Sequence, residues 1–204
     1  DLSQFDDIQF AAVTGDLIVD NVTLASFDEW GLGATTSVTF QLGGTSLNLT
    51  DVEYAALMPL LIVTGSSGDD IVTAGDGDAL VDDRIFTYNL GAGDDTFNGV
   101  DKTNDTGAIT VNGGDGDDEI NLGELALAAV NGSNTATGGD GDDTLVAADA
   151  SDDLTGGDGI DTFSIAMNEL GVTINDFGVL GTTFTTGNDI LMLNVDVGTA
   201  LSST

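Results

Sequence analysis

The chain has 204 residues, 41% of them hydrophobic, enough for a packed core in one elongated domain or two small ones and too many for disorder throughout. Its formal charge is −34, from 36 acids against only Arg84 and Lys102, which sets it against nucleic acid and anionic membranes as partners. Cysteine and histidine are both absent, which removes thiol nucleophiles, disulfides, Ser-His triads and the usual zinc sites.

Thirty-one of the acids are Asp and five are Glu. A generally acidic surface could use either residue; the preference for the shorter carboxylate suits turns and metal ligation. So large a charge also makes a compact state repel itself, so cations are expected to take part in folding. No apolar run reaches the roughly 18 residues of a membrane span, and no signal peptide stands at the front. The chain opens at Asp1 rather than Met and is expected to be a processed or excised piece.

Residues 1–64 carry no repeat. Alternating or β-branched runs at Phe5–Ala12, Asp16–Leu24, Ser37–Leu42 and Ser46–Leu49, separated by Gly, Asp and Asn, predict strands. Thr50-Asp51-Val52-Glu53 has the form of a capping box, so a short helix is expected over 50–58, ending at Pro59 and covering the open end of the coils C-terminal to it. Phe27, Trp30 and Tyr54 are the large aromatics here; a small core is their simpler role, and a sugar or subunit contact the other.

From Gly65 the pattern changes. Gly113-Gly114-Asp115-Gly116-Asp117-Asp118-Glu119-Ile120-Asn121 is the clearest of a set of nonapeptides, with near-copies at 65–73, 90–98, 138–146 and 156–164 and weaker ones at 74–82 and 147–155. The shared form is G-G-x-G-x-D-x-U-x, with U a large apolar residue. Glycines let the chain turn tightly. A tight turn aims carbonyls inward, and the sixth-position residues Asp70, Asp95, Asp118, Asp143 and Asp161 add carboxylate oxygens on a short stem. Hard oxygens in that number suit calcium, whereas magnesium keeps its waters. The eighth residues Val72, Phe97, Ile120, Leu145 and Phe163 follow on a short strand and point into a core. A flexible Asp/Gly linker gives no reason for an apolar residue always two places after the Asp.

The nonapeptide resembles the glycine- and aspartate-rich repeat of RTX proteins. The resemblance covers 65–164 and implies an all-β, calcium-binding parallel β-roll, a solenoid, with residues 1–64 as a β-rich region bearing the capping helix and 165–204 as a closing region. The fourth-position glycines Gly68, Gly93, Gly116, Gly141 and Gly159 lie 25, 23, 25 and 18 residues apart, so one coil per interval stacks all five turns on one edge. Gly77, the 98–107 loop, Asn131–Asn134 and Asp149–Asp152 would form the opposite, irregular edge. In the family an ion sits between successive turns, which carries the role of ligand onto the sixth-position Asp residues and turn carbonyls. The acids at positions three and five, Asp69, Asp94, Asp115, Asp117, Asp140, Asp142 and Asp158, are the next candidates. One ion per good repeat gives five calcium ions, neutralising about 10 charges. The 74–82 copy has Ala79 where the Asp belongs and the 147–155 copy lacks the glycines, so neither is expected to hold a full site.

Glu124–Val130 reads equally as a helical turn or an apolar strand, and four N-x-S/T sequons are treated as coincidence in a Thr-rich chain. Thr96, Thr144 and Thr162 share an outward position, but with such unequal coils they make a poor lattice for ice. The stretches Ile174-Asn175-Asp176-Phe177 and Gly187-Asn188-Asp189-Ile190-Leu191-Met192-Leu193 look like the closing region of RTX proteins exported by type I secretion. There Asp176 and Asp189 hold a final ion or make turn hydrogen bonds, and Phe177, Ile190 and Leu193 are expected to plug the end of the roll.

No catalytic constellation stands beside the repeats, and no enzyme activity is expected. The composition also resembles that of bacterial surface-layer proteins. The expected function is that of a secreted, calcium-binding structural protein that assembles with other copies of itself into a filament, matrix or surface layer. It would pass through a type I secretion apparatus and insert into no membrane. The alternative is the C-terminal folding and export module of a larger enzyme or toxin, as in serralysin-like proteases; residues 1–64 hold no zinc-binding His pair and are too short for a protease domain.

Overall fold

A computed structural model describes residues 7–10, 17–20, 29–32, 38–42, 46–49, 53–54, 60–74, 85–99, 108–123, 133–148, 151–166, 171–177 and 189–194. All regular structure among them is β-strand, and every strand pairing is parallel. Two large sheets run the length of the chain. Sheet I stacks 17–20, 38–41, 60–64, 85–92, 108–115, 135–140, 153–158 and 173–174. Sheet II stacks the shorter strands 46–48, 71–73, 96–98, 119–121, 144–146, 162–166 and 190–194. Each of the five good nonapeptides carries the chain from a sheet I strand across one edge to the following sheet II strand. The result is a parallel β-solenoid, as the repeat pattern predicts.

Alternation along the strands builds the core. In 108–115 the residues Ile109 and Val111 are buried while Thr110 and Asn112 between them face outward, the period-two signature of a strand. In sheet I, Phe40, Val63, Tyr88, Val111, Ala136, Leu154 and Ile174 are in register from coil to coil. In sheet II, Leu47, Val72, Phe97, Ile120, Leu145, Phe163 and Leu191 do the same, so the apolar eighth position of each repeat forms a continuous column. Tyr88 and Phe97, at 1% and 0% exposure, meet across the core with ring centroids 4.7 Å apart.

The sheets do not begin where the repeats begin. Strand 17–20 pairs onto 38–41 and that onto 60–64, while 46–48 pairs onto 71–73. A third, three-stranded sheet of 7–10, 29–32 and 53–54 gives this front part an additional face. The helix expected over 50–58 is corrected: Glu53 and Tyr54 are a strand pairing with Glu29 and Trp30, and the rest of that range lies outside the described residues. The capping box is a local signal, and parallel pairing to the preceding coil overrides it here. Trp30 and Tyr54 stand in register on neighbouring strands, while Phe27 lies outside the described residues. So do residues 75–84, with Gly77 and Ala79, and residues 124–130, which leaves the weak 74–82 copy and the Glu124–Val130 alternative undescribed.

At the far end Phe177 meets buried Phe163 edge-on at 6.0 Å, as expected of a plug, yet keeps 42% exposure. Ile190 and Leu193 do not plug the roll: they are 50% and 57% exposed, because among the described residues no later strand pairs onto 190–194 in sheet II.

Because Phe97 is wholly buried against Tyr88, Phe97→Ala is expected to destabilise the calcium-loaded roll by about 3–5 kcal/mol. The outward neighbour Thr96→Ala should stay within about 0.5 kcal/mol. Urea unfolding of both variants at saturating calcium measures the contrast.

Candidate metal centre

The five nonapeptide turns stack on one edge, in the order the spacing predicts. Gly91, Gly114, Gly139 and Gly157 are mutually in register, as are Asp115, Asp140 and Asp158. Glycine is required here for two reasons. Gly116 has φ +129, a conformation L side chains rarely adopt, and a Cβ on it would collide with the carbonyl of Gly93 in the preceding turn. Gly93, Gly141 and Gly159 share this left-handed geometry. Gly68 does not, and a Cβ on it would meet nothing within 4 Å.

The sixth-position residues Asp70, Asp95, Asp118, Asp143 and Asp161 form a buried column, each at most 2% exposed. A hydrogen-bond ladder runs along it. The backbone N–H groups of Asp70, Asp95, Asp118 and Asp143 donate to Oδ1 of Asp95, Asp118, Asp143 and Asp161 in the following coil, at 2.7, 2.8, 2.8 and 3.0 Å. The N–H of Asp161 donates to Asp189 Oδ1 at 3.1 Å, so the closing segment supplies one more rung. Asp176 accepts from the N–H groups of Gly156 and Gly157 at 3.0 and 2.9 Å.

A second ladder runs the opposite way on the exposed rim. The N–H groups of Asp94, Asp117 and Asp142 donate to Oδ1 of Asp69, Asp94 and Asp117 in the preceding coil, and Ile160 N–H donates to Asp142 Oδ1, all between 2.8 and 3.0 Å. The third-position acids Asp115, Asp140 and Asp158 are exposed at the ends of the sheet I strands. The candidates from the sequence therefore divide: the sixth position lies inside, between coils, and the third and fifth lie on the rim.

The inner ladder leaves one side of the column unsatisfied. Asp70 Oδ1, Asp95 Oδ2, Asp118 Oδ2 and Asp143 Oδ2 are buried without a hydrogen-bond partner. A buried, uncompensated carboxylate oxygen is costly, and the column stacks four of them. Burial pushes the Asp118 carboxyl up to about 7, helped by the charges of Asp143 and Asp95 and opposed by the Asp95 N–H. Burial likewise pushes Asp143 up to about 6, with Asp161 and Asp117 adding to it, and raises Asp95 and Asp161.

The unsatisfied oxygens border a small space. A Cβ placed on Gly113 would strike Asp118 Oδ2 and stand 2.6 Å from the carbonyl oxygen of Gly138; one on Gly138 would strike Asp143 Oδ2 and stand 2.6 Å from that of Gly156. Two oxygens from successive coils thus converge on a point kept open by glycine. Hard, anionic and carbonyl oxygens fit calcium. Among the described residues no three acidic side chains converge as a ready-made cage, so carbonyl or water oxygens would complete any ion's shell.

The sequence model of one known family, the RTX calcium-binding nonapeptide repeat (4 copies), matches residues 62–78, 110–124 and 129–163. These are RTX repeats. No curated protein and no solved structure matches the chain significantly. The RTX repeats make this a calcium-binding β-roll, and the four orphaned carboxylate oxygens lie within the turns of the nonapeptides. The family match leaves out the 90–98 turn, whose Leu90 departs from the glycine that opens the other good copies, yet Asp95 occupies the same place in the column.

Sequence reasoning missed the polar column on the opposite edge. Ile109 N–H donates to Asn134 Oδ1 at 3.0 Å, and Asn134 donates to Asp152 Oδ1 through Nδ2 at 3.0 Å. Ala148 N–H donates to Asp152 Oδ2 at 2.7 Å. Asp152 is the sixth residue of the glycine-free 147–155 copy, and protein donors meet both of its oxygens. The lost glycines were the available signal: without them the same carboxylate is held by the chain's own N–H groups.

In the RTX column, Asp118→Asn keeps the acceptor for Asp95 N–H and removes a buried charge, so the metal-free roll should gain about 1–3 kcal/mol while the response to calcium weakens. Far-ultraviolet circular dichroism in chelator and along a calcium titration reads both effects. Since folding raises these carboxyls above their ordinary 3.8, the folded state binds more protons than the unfolded one. Their contribution to metal-free stability is complete below pH 3.8 and is lost as pH rises through about 6 to 7. In chelator the strand signal should therefore be larger at about pH 5 than at about pH 8, and the calcium midpoint should rise as pH falls, because protons compete for the same oxygens.

Proposed function

We propose that this chain is the calcium-gated β-roll of an exported bacterial structural protein. The observation that carries the reading is the buried column with its four orphaned carboxylate oxygens. At neutral pH such a column must be protonated, filled by cations or unfolded, and calcium decides between the last two. In a cytoplasm where free calcium is scarce the polyanion stays extended and threads through a type I secretion channel. Outside, sites with dissociation constants of roughly 10⁻⁴–10⁻³ M fill and the coils close. The ligands in this reading are the sixth-position residues Asp70, Asp95, Asp118, Asp143 and Asp161 with turn carbonyls, and the rim acids at positions three and five draw ions in.

Once folded, the roll associates with other copies into a filament, matrix or surface layer. The charge supports this order of events: the unfolded chain carries −34 and repels its copies, and each bound calcium removes two charges. One observation favours the second reading, a folding and export module of a larger enzyme or toxin. The closing segment is fitted onto the last turns by Asp176 and Asp189, as suits a segment that completes the roll.

Light scattering and circular dichroism during a calcium titration test the proposal. Strand signal appearing together with large particles is the expected result. Strand signal in a monodisperse monomer would shift the reading to the export module, and strand content indifferent to calcium would overturn the gating itself.

A further inference from the structure

The solenoid places its acids unevenly. The stacked turns put Asp115, Asp140 and Asp158, with the rim ladder of Asp69, Asp94, Asp117 and Asp142, along one edge. The outer face of sheet I is different. From Thr39 to Thr137 none of its described outward positions is charged, in a chain with 36 acids. Two rows dominate it: Thr87, Thr110 and Thr135 in register, and beside them Asn89, Asn112 and Thr137. Asn112 Nδ2 donates to Asn89 Oδ1 at 2.7 Å, which ties the second row together. Next toward the acidic edge comes a row with no side chains at all, the in-register glycines of the turns. The threonine row ends at Asp153, which is in register with Thr135 and whose carboxylate accepts from Asn175 Nδ2 at 2.6 Å. Sheet II offers no equivalent. Its strands are shorter, Glu119 sits exposed between Thr96 and Thr144, and Ile71 is half exposed.

We infer that the outer face of sheet I is the surface on which a second copy of this chain packs, face to face. This rests on the self-assembly reading above and names one of its contacts, since a two-fold contact closes on itself and growth beyond a dimer needs another. Two polyanions can meet closely only where neither presents carboxylates, because like charges brought together at an interface cost several kcal/mol. The face is also matched to itself. Parallel strands repeat about every 4.7–4.9 Å in both copies, so the hydroxyl and amide side chains of the three coils from Thr87 to Thr137 can interleave, as in dry zippers between stacked sheets. Such a contact is isologous, the same patch serving both partners about a two-fold axis.

The test uses the full chain at saturating calcium, with sedimentation followed across protein concentration. Thr110→Glu puts a carboxylate at the centre of the face, and Thr162→Glu puts the same charge on the outer face of sheet II. Circular dichroism and the calcium midpoint report whether each variant folds; Thr137→Glu, in the second row, replaces Thr110→Glu if that variant does not. The expected result is that the face variant needs about tenfold more protein for half-association while Thr162→Glu behaves as the parent. Equal effects of the two changes, or none, overturn the contact and leave self-assembly standing. A parent chain that stays monomeric with calcium bound overturns both.

Discussion

Everything in this molecule depends on holding carboxylates inside, between coils, where water cannot reach them. Burying a charge is among the more costly acts in folding, and the column repeats it at every coil of the roll. The chain meets half of the demand itself, giving Oδ1 of Asp95, Asp118, Asp143 and Asp161 a backbone N–H from the preceding coil. The other half is left open: Asp118 Oδ2 and Asp143 Oδ2 stay buried without a partner, beside space that Gly113 and Gly138 keep clear. In the calcium-gated reading proposed above, stability is thereby handed to the surroundings: the apolar column of Val72, Phe97, Ile120, Leu145 and Phe163 supplies cohesion, and the cation supplies permission.

The two edges of the solenoid form a comparison within one protein. On one, a sixth-position aspartate faces a glycine-lined space and keeps an unsatisfied oxygen; on the other, Asp152 is met by Ala148 N–H and by Asn134. The residue is the same and the fold is the same. The difference lies in what surrounds the carboxylate, and so an edge with unsatisfied oxygens coexists with an edge stabilised by amides. Specialising one edge also frees the middle of the broad face of sheet I, where the described outward positions from Thr87 to Thr137 carry threonine and asparagine rather than charge.

Much of this was legible in the sequence because a repeat reports long-range neighbours through local spacing. The intervals between Gly68, Gly93, Gly116, Gly141 and Gly159 place the turns on one edge without any knowledge of coordinates, and the period-two pattern gives the strands and their inward residues. The front of the chain was less legible. Its strands at 17–20, 38–41 and 46–48 were readable one by one, but that they enter the same two sheets was not, since no motif marks a coil there. The helix expected at 50–58 failed for the same reason: a four-residue capping signal cannot see that Glu53 and Tyr54 have partners at Glu29 and Trp30. The ladders were also hidden, because a sequence names an aspartate without saying which N–H it meets a coil away.

The opposed directions of the two aspartate ladders have one further result. Each turn gives hydrogen bonds to the coil after it through the sixth position and to the coil before it through the fifth. Every internal unit therefore presents the same pair of complementary surfaces above and below. The unequal intervals of 25, 23, 25 and 18 residues are absorbed away from these surfaces, in the connections across the opposite edge. A lineage can lengthen or shorten such a rod by duplicating or deleting one unit of sequence, with no compensating change elsewhere, and so the number of coils is open to rapid evolutionary adjustment while the turn chemistry stays fixed.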